Sequence, residues 1–316
     1  MHIRLGVVMD SICSINIYKD STFAMLLAAQ RRGWALNYME QCDLKLHQNQ
    51  AFAQMRPLKV MDDSKNWFNL GVAQQEPLTA LNIILMRTDP PFDIEYLMTT
   101  YILEIAEKQG VLVVNRPGSL RDANEKIFAL NFPECCPPTL VTKKAQDLRN
   151  FHQIHGDIIL KPLNAMGGAS VFRLRPDDPN ISVIIETLTN YEQRFIMAQK
   201  FIPEISAGDK RVLMIDGIPI PYALARIPAP GETRGNLAAG GSGVGIALSS
   251  RDQWIAAQIG PTLRERGILF AGLDIIGDYL TEINVTSPTC IRELDKMFGL
   301  DIADQFLTIC QNRLNL

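Results

Sequence analysis

Apolar positions along the chain fall into short β-like runs and longer helical repeats, and their order predicts the architecture. IRLGVVM at 3–9 reads as a β-rich strand, and Asp20 or Ser21 can cap TFAMLLAAQRR, whose apolar spacing fits a helix stopped at Gly33. WALNYME then predicts a second strand, completing a βαβ unit. A polar stretch rich in Gln and Asn, about 47–75, reads as a surface excursion, after which LNIILMR returns as a buried strand ending at Arg87. DPPFDIEYLMTTYILEIAEKQG predicts a Pro-rich turn, an amphipathic helix and a glycine stop; VLVVN is the next strand, ending at Asn115.

This order predicts an open α/β domain with a mostly parallel sheet over the first 120 or so residues. Ligands of such sheets gather beyond the carboxyl ends of strands, which makes Arg87 and Asn115 candidate substrate contacts, with a solvated strand-end arginine as the plain alternative for Arg87. No G-x-G-x-x-G follows the first strand, since Gly6 stands alone, so the dinucleotide-binding reading loses its main support. RPGSLRDANEKIFAL reads as one capped helix, and beyond PECCPPTLV the chain turns to strands, hairpins and glycine-rich loops. A domain boundary is placed near Asp122.

Composition narrows the class. A chain of 316 residues with 47% hydrophobic content suits two or three packed subdomains. Its net charge of −3 provides no basic field for a nucleic-acid backbone. The amino-terminal apolar run is too short for a signal peptide and no run reaches membrane-spanning length, so the expectation is a cytoplasmic protein that binds neither membrane nor nucleic acid. The six cysteines lack metal-ligand spacing and read as free thiols.

Candidate chemistry lies in the remainder. DIILKPLNAMGGASVFRL is strand, glycine loop, strand: a flap whose Gly167 and Gly168 can lay backbone N–H groups over phosphates, with Lys161 at the end of the first strand able to reach them. A flexible hairpin with a solvated lysine is the plain alternative. RFIMAQKFI, ended by Pro203, is a strand whose edge can hydrogen-bond an adenine ring or simply belong to the core. AGDKRVLMIDGIPIPYALARI predicts two strands joined at Asp216-Gly217, bringing Arg211 and Arg226 to one end, where they suit a developing phosphoryl or carboxylate charge, with an exposed hairpin edge protected by charge as the plain alternative. PAPGETRGNLAAGGSGVGIAL is read as a mobile functional loop spanning 227–246, with Arg234 its one cation.

In DIIGDYLTEIN, Glu282 and Asn284 are two apart on one strand and share a face. Asp274 joins that face only if it pairs with an even-numbered residue. A plain two-residue Gly277-Asp278 turn would send it to the other side, so a metal site requires a three- or five-residue loop or a bulge. Three hard oxygen donors fit Mg²⁺ shared with phosphates and water, and zinc would call for His or Cys; an exposed polar hairpin face is the plain alternative.

NEK at 124–126, LKPLNAMGGASVF, GDKRVL, ETRGNLAAGG and GLDIIGDYLTEINVTSPTCIRE together resemble bacterial glutathione synthetase, an ATP-grasp ligase, and the likeness extends to VVMDSICSINIYKDSTFAML and MRTDPPFD near the amino terminus. The resemblance implies an α/β ATP-grasp fold of three parts: an amino-terminal substrate domain at 1–122, a central lid subdomain at 123–200 and a carboxy-terminal antiparallel-sheet subdomain at 201–316. It implies ATP-driven joining of γ-glutamylcysteine to glycine through an acyl phosphate. It further implies that Lys126, Lys161, Gly167, Gly168, Gln199, Lys200, Phe201, Ile202 and Asp209 hold ATP, and that Asp274, Glu282 and Asn284 hold Mg²⁺, which Mn²⁺ can replace. Arg211, Arg226 and Arg234 would be catalytic, and Ser287 and Thr289 would join Arg87 and Asn115 in placing substrate. A homo-oligomer, a tetramer, is the implied assembly. One departure is that GGSGVGIAL lacks the basic residue expected after its glycine pair, which bears on lid closure. Another ATP-grasp carboxylate–amine ligase, or a non-catalytic ATP-binding module, stays open on the residues alone.

Overall fold

The computed structural model describes residues 2–165, 167–231, 235 and 240–314. The amino-terminal part opens with β1 (Arg4–Val8), α1 (Ser21–Arg31) and β2 (Ala35–Met39). Asp20 caps α1 by accepting the Phe23 N–H at 2.5 Å. Strands β3 (Leu44–His47), β4 (Gln50–Val60), β5 (Phe68–Leu70) and β6 (Gln74–Pro77) precede β7 (Ile83–Met86), α2 (Ile94–Lys108) and β8 (Leu112–Val114). The parallel order is β2-β1-β7-β8, and the antiparallel β4 adds to the free edge of β2. The polar stretch read as an excursion is therefore an antiparallel arm. Its long strand buries Ala51, Ala53 and Met55 on one face, and small residues among glutamines gave that alternation little hydrophobic weight.

The helix read as continuous through 130 ends much earlier. Here α3 covers Pro117–Asp122, because Asn124 Oδ1 accepts the backbone N–H groups of Lys126 and Ile127 at 3.2 and 3.1 Å and turns the chain away. That turn carries Asn124, Glu125 and Lys126 to the end of the last sheet, where the Ile283 N–H donates to the Glu125 carbonyl at 2.9 Å.

The central part consists of β9 (Thr139–Thr142), α4 (Ala145–His155), β10 (Ile158–Pro162), β11 (Phe172–Leu174), α5 (Ile181–Thr189) and β12 (Ile196–Lys200). Its four-stranded antiparallel sheet runs β11-β10-β12-β9 around a small apolar core that includes Leu148, Ile158, Leu160 and Ile185. The carboxy-terminal sheet runs β15-β14-β13-β16-β17, from β13 (Asp209–Ile215), β14 (Ile218–Ile227), β15 (Ser242–Ala247), β16 (Phe270–Ile276) and β17 (Tyr279–Asn284). Helices α6 (Ser250–Glu265), α7 (Ile291–Phe298) and α8 (Ile302–Arg313) complete it.

The second half of the expected loop is the edge strand β15, paired with β14 from Tyr222↔Ala247 to Ile227↔Ser242. Its glycines serve packing: a Cβ on Gly245 would meet the Phe298 ring at 2.5 Å, so only a bare backbone can lie against that residue. Helix α8 returns to α1, where Arg32 Nε donates to Asp304 Oδ1 at 2.6 Å, tying the last helix to the first domain.

Candidate active site

The hairpin of β16 and β17 satisfies both conditions the sequence set against each other. Its turn is the two-residue Gly277-Asp278, with Ile276↔Tyr279 and Ile275↔Leu280, yet Asp274 pairs with Glu282 because the register shifts at Thr281. The bulged Thr281 donates its hydroxyl to the Asp274 carbonyl at 3.1 Å. Asp274, Glu282 and Asn284 consequently line one cavity between the central and carboxy-terminal sheets.

Adjacent pairing on β13 places Arg211 directly opposite Asp274, and Arg226 on β14 opposite Asp209. Arg211 grips Asp274 with Nε–Oδ1 at 2.5 Å and Nη2–Oδ2 at 3.0 Å, and Arg226 Nη2 lies 2.9 Å from the same Oδ2. All three side chains are buried. Burial alone would raise the Asp274 pKa, but the two guanidinium groups outweigh it and hold the carboxyl well below its usual range. Asp209, ion-paired with Arg226, is pushed up to about 6 by burial, with the Asp274 charge adding to the rise against Arg226. Its Oδ1 is buried without a hydrogen-bond partner among the described residues.

Glu282 stands between two lysines, its Oε1 3.4 Å from Lys126 Nζ and 3.7 Å from Lys161 Nζ. Lys126 also donates to the Ala165 carbonyl at 2.7 Å, and Lys161 lies 3.3 Å from Gln199 Oε1. Burial pulls the Lys161 pKa down, opposed by the charge of Glu282. Gly167 and Gly168, with φ of 66° and 75°, line the same cavity from the loop between β10 and β11. Lys200, Phe201 and Ile202 line it where β12 ends, and Ile159, Val171 and Ile276 give it apolar walls. A cavity with apolar sides and lysines converging over carboxylates suits a nucleotide: a flat base against the walls, phosphates toward the ammonium groups.

Among the described residues no three His, Cys, Asp or Glu side chains gather as a metal site. The donor set that fits a hard cation is the mixed one. The Asn284 amide N–H donates to the Gly272 carbonyl at 3.3 Å, which leaves its oxygen for a ligand, and Glu282 is loosely paired enough to exchange partners.

A second cavity joins the first at Glu125, Gly167, Arg211, Arg226 and Asn284. Lys19, Asp20 and Asp89 form its wall from the amino-terminal domain, and the opposite wall is the loop from Thr286 to Cys290. Ser287 and Thr289 both line this cavity, and Ser287 together with Arg87 and Asn115 also holds its walls in place. Arg87 is buried, donating to Thr22 Oγ1 at 3.0 Å and to the Pro288 carbonyl at 2.9 Å. Asn115 donates to the Phe270 and Val285 carbonyls, each at 2.7 Å, and accepts from the Phe270 N–H at 3.0 Å. Ser287 donates to Asp89 Oδ1 at 2.5 Å. Arg234 lies outside the described residues.

Sequence reasoning missed Glu125, whose carboxylate Oε1 accepts from the backbone of Val285 and Thr286 and from the Thr286 hydroxyl. Burial pushes its pKa up, against the hydrogen bonds from Val285 and Thr286. Its signal in the sequence is its place in NEK, next to Lys126. Lys19, Asp20 and Asp89 were missed as cavity residues because nothing local in a loop marks a wall.

Family models describe this chain in two pieces. Residues 3–121 match the prokaryotic glutathione synthetase N-terminal domain and residues 125–299 the prokaryotic glutathione synthetase ATP-grasp domain. The chain is similar to glutathione synthetase of Pseudomonas aeruginosa, 62% identical over 97% of each chain. It is also 61% identical to that of Shewanella oneidensis over 99% of each. Among solved structures it resembles D-cycloserine synthetase, with TM-score 0.70 at 13% identity over 98% of this chain and 99% of that one. The ATP-grasp ligase PsnB, solved with a minimal precursor, Mg and ADP, superimposes with TM-score 0.62 at 16% identity, covering 99% and 98%. At those identities the structural likeness speaks for the ATP-grasp fold alone.

Proposed function

The chain belongs to the prokaryotic glutathione synthetase family, and from that premise we propose how its two cavities carry the family's reaction. The enzyme is an ATP-dependent ligase that joins γ-glutamylcysteine to glycine, forming glutathione, ADP and phosphate through an acyl phosphate. The observation that carries our assignment of its residues is the bulge at Thr281, which sets Asp274, Glu282 and Asn284 in the cavity where Lys126 and Lys161 approach Glu282.

ATP occupies the first cavity. Its adenine lies against Phe201 and Ile202 where β12 ends, beside Gln199 and Lys200, with Asp209 toward the ribose. Lys126 and Lys161 take the phosphates, and the backbone of Gly167 and Gly168 covers them. Asp274, Glu282 and Asn284 would hold Mg²⁺, which Mn²⁺ could replace, and a cation bound there would supply positive charge against the phosphates.

γ-Glutamylcysteine occupies the second cavity, its cysteinyl carboxylate directed at the shared boundary where Arg211 and Arg226 stand. Both guanidinium groups are already oriented by Asp274, so they meet the charge of the acyl phosphate and of the tetrahedral intermediate without reorganising. Thr289 contributes to the substrate wall. Arg234 is assigned by the resemblance to the exclusion of water from the acyl phosphate. Ser287 lines the same wall and contributes to it beside Thr289, and Arg87 and Asn115 serve the substrate through the loop they hold.

We further place the boundary between substrate domain and ATP-grasp subdomains near Asp122, and the lid boundary near 200. The described residues include no helix long and apolar enough to cross a membrane, and all six cysteines are unpaired. We read the protein as a cytoplasmic enzyme and, from the resemblance, as a homo-oligomer.

Phosphate release with Mg-ATP, measured with γ-glutamylcysteine, glycine, both or neither while tripeptide is followed by mass spectrometry, tests the reading. Tripeptide equal to phosphate only with both substrates is expected. ATP binding without turnover on this pair would refute it.

A further inference from the structure

We propose that Glu125 is a positioning residue for γ-glutamylcysteine: it holds the segment at 285–286 and so sets the wall against which that substrate lies. This rests on assigning the second cavity to γ-glutamylcysteine.

Beyond β17 the chain has left its ladder, and its backbone groups need partners from elsewhere. Side chains distant in sequence supply them. Asn115 takes the Val285 carbonyl, Asp89 the Ser287 hydroxyl and Arg87 the Pro288 carbonyl, all from the amino-terminal domain. Glu125 does the most for this segment: its Oε1 accepts Val285 N–H at 2.9 Å, Thr286 N–H at 3.2 Å and Thr286 Oγ1 at 2.9 Å. Three donors converging on one oxygen fix the direction of the chain as well as its position.

The place of this residue separates it from an ordinary loop anchor. Glu125 lines the nucleotide cavity, the second cavity and a third bounded by Phe92 and Leu163, and among the described residues no other side chain lines all three. No hydrogen bond to its Oε2 forms among the described residues, so the second oxygen is left to the cavities. Its carbonyl also accepts the Ile283 N–H, and the next residue, Lys126, reaches Glu282. One dipeptide thus grips the strand that carries Glu282 and Asn284 and the wall that follows it. The bonds from its carboxylate fall on the wall, which predicts that losing the carboxylate harms the substrate seated there more than ATP.

Binding of γ-glutamylcysteine and of ATP is measured separately by calorimetry on the full chain, together with kcat and both KM values, for the parent protein, Glu125→Ala, Glu125→Gln and Thr286→Val. Glu125→Ala is expected to raise the Kd for γ-glutamylcysteine by about 10-fold or more while the ATP Kd moves less than about 3-fold. Glu125→Gln keeps an accepting oxygen and should recover most of the lost affinity. Should the alanine variant not fold, Thr286→Val carries the test, with about a 3-fold loss in the same direction. Unchanged γ-glutamylcysteine affinity in the variants overturns the proposal, as does an equal loss for both ligands, the mark of a general structural defect. A parent protein that binds ATP but not γ-glutamylcysteine would instead overturn the assignment of the cavity, and the proposal with it.

Discussion

Asp274 and Glu282 face each other across one strand pair, and each has two cations beside it, yet the two ends of the pair are built differently. Around Asp274 the contacts with Arg211 and Arg226 lie between 2.5 and 3.0 Å and everything is buried. Around Glu282 the lysine nitrogens stand off at 3.4 and 3.7 Å, and the carboxylate side chain is 23% exposed to the cavity. The residue types explain the contrast. Planar guanidinium groups lock a carboxylate in place, whereas an ammonium on a flexible stem is a point charge that can turn to another anion. The arginine end is therefore preset before substrates arrive, and the lysine end is free to exchange its contacts for phosphate.

The comparison breaks most visibly at the arginine end. Arg211→Met leaves Asp274 buried with one cation, and removing a partner from a buried pair costs about 3–5 kcal/mol. Urea unfolding should show a loss of that size together with a fall in kcat of about 10³-fold. A variant as stable as the parent would mean that Asp274 is solvated or neutral, and the preset cluster would be lost as an idea.

At the lysine end the same operation should separate activity from stability. Glu282→Gln keeps the shape and removes a loosely held charge, so the melting temperature is expected to stay within about 2 °C while kcat falls about 10²- to 10³-fold. Near-normal turnover at limiting Mg²⁺ would remove Glu282 from the metal site.

How much of this could be read beforehand depends on the range of the interactions. The strands at 3–9 and 196–200, the helix from Ser21 and the Asp216-Gly217 turn carry their periodicity and capping locally, and the fold followed from them. The hairpin register did not follow, because a bulge is one unpaired residue and Thr281 looks like any strand threonine. It is set by the burial of Leu280 and Ile283 on the other face. Arg87 and Asn115 do follow the last residues of β7 and β8, but their partners lie 201 and 155 residues away in sequence, at Pro288 and Phe270. Polar residues at the carboxyl end of a strand look alike whether they meet a ligand or a neighbouring sheet.

Lys161→Met sharpens the contrast by removing a cation instead of an anion. Burial already disfavours this charge, so its loss should leave stability unchanged or slightly raised, whereas KM for ATP rises about 10-fold. A clear destabilisation would show that the lysine end is as firmly built as the arginine end.

Ser287 supplies the control without a cation, and the smallest effect. Its hydroxyl donates to Asp89 at 2.5 Å on the rim of the second cavity, with no guanidinium or ammonium in the bond. Ser287→Ala deletes one hydrogen bond to a carboxylate that lines the second cavity, where water can replace the lost donor, and the expected cost is about 1 kcal/mol. The wall keeps its remaining anchors from Glu125 and Arg87, and KM for γ-glutamylcysteine should rise no more than about 3-fold. If instead KM rises 30-fold or more with stability unchanged, the hydroxyl meets substrate directly. The wall would then be a binding surface in its own right, and its rigid anchoring would have the same purpose as the arginine cluster: to present a preset group to the reacting carboxylate.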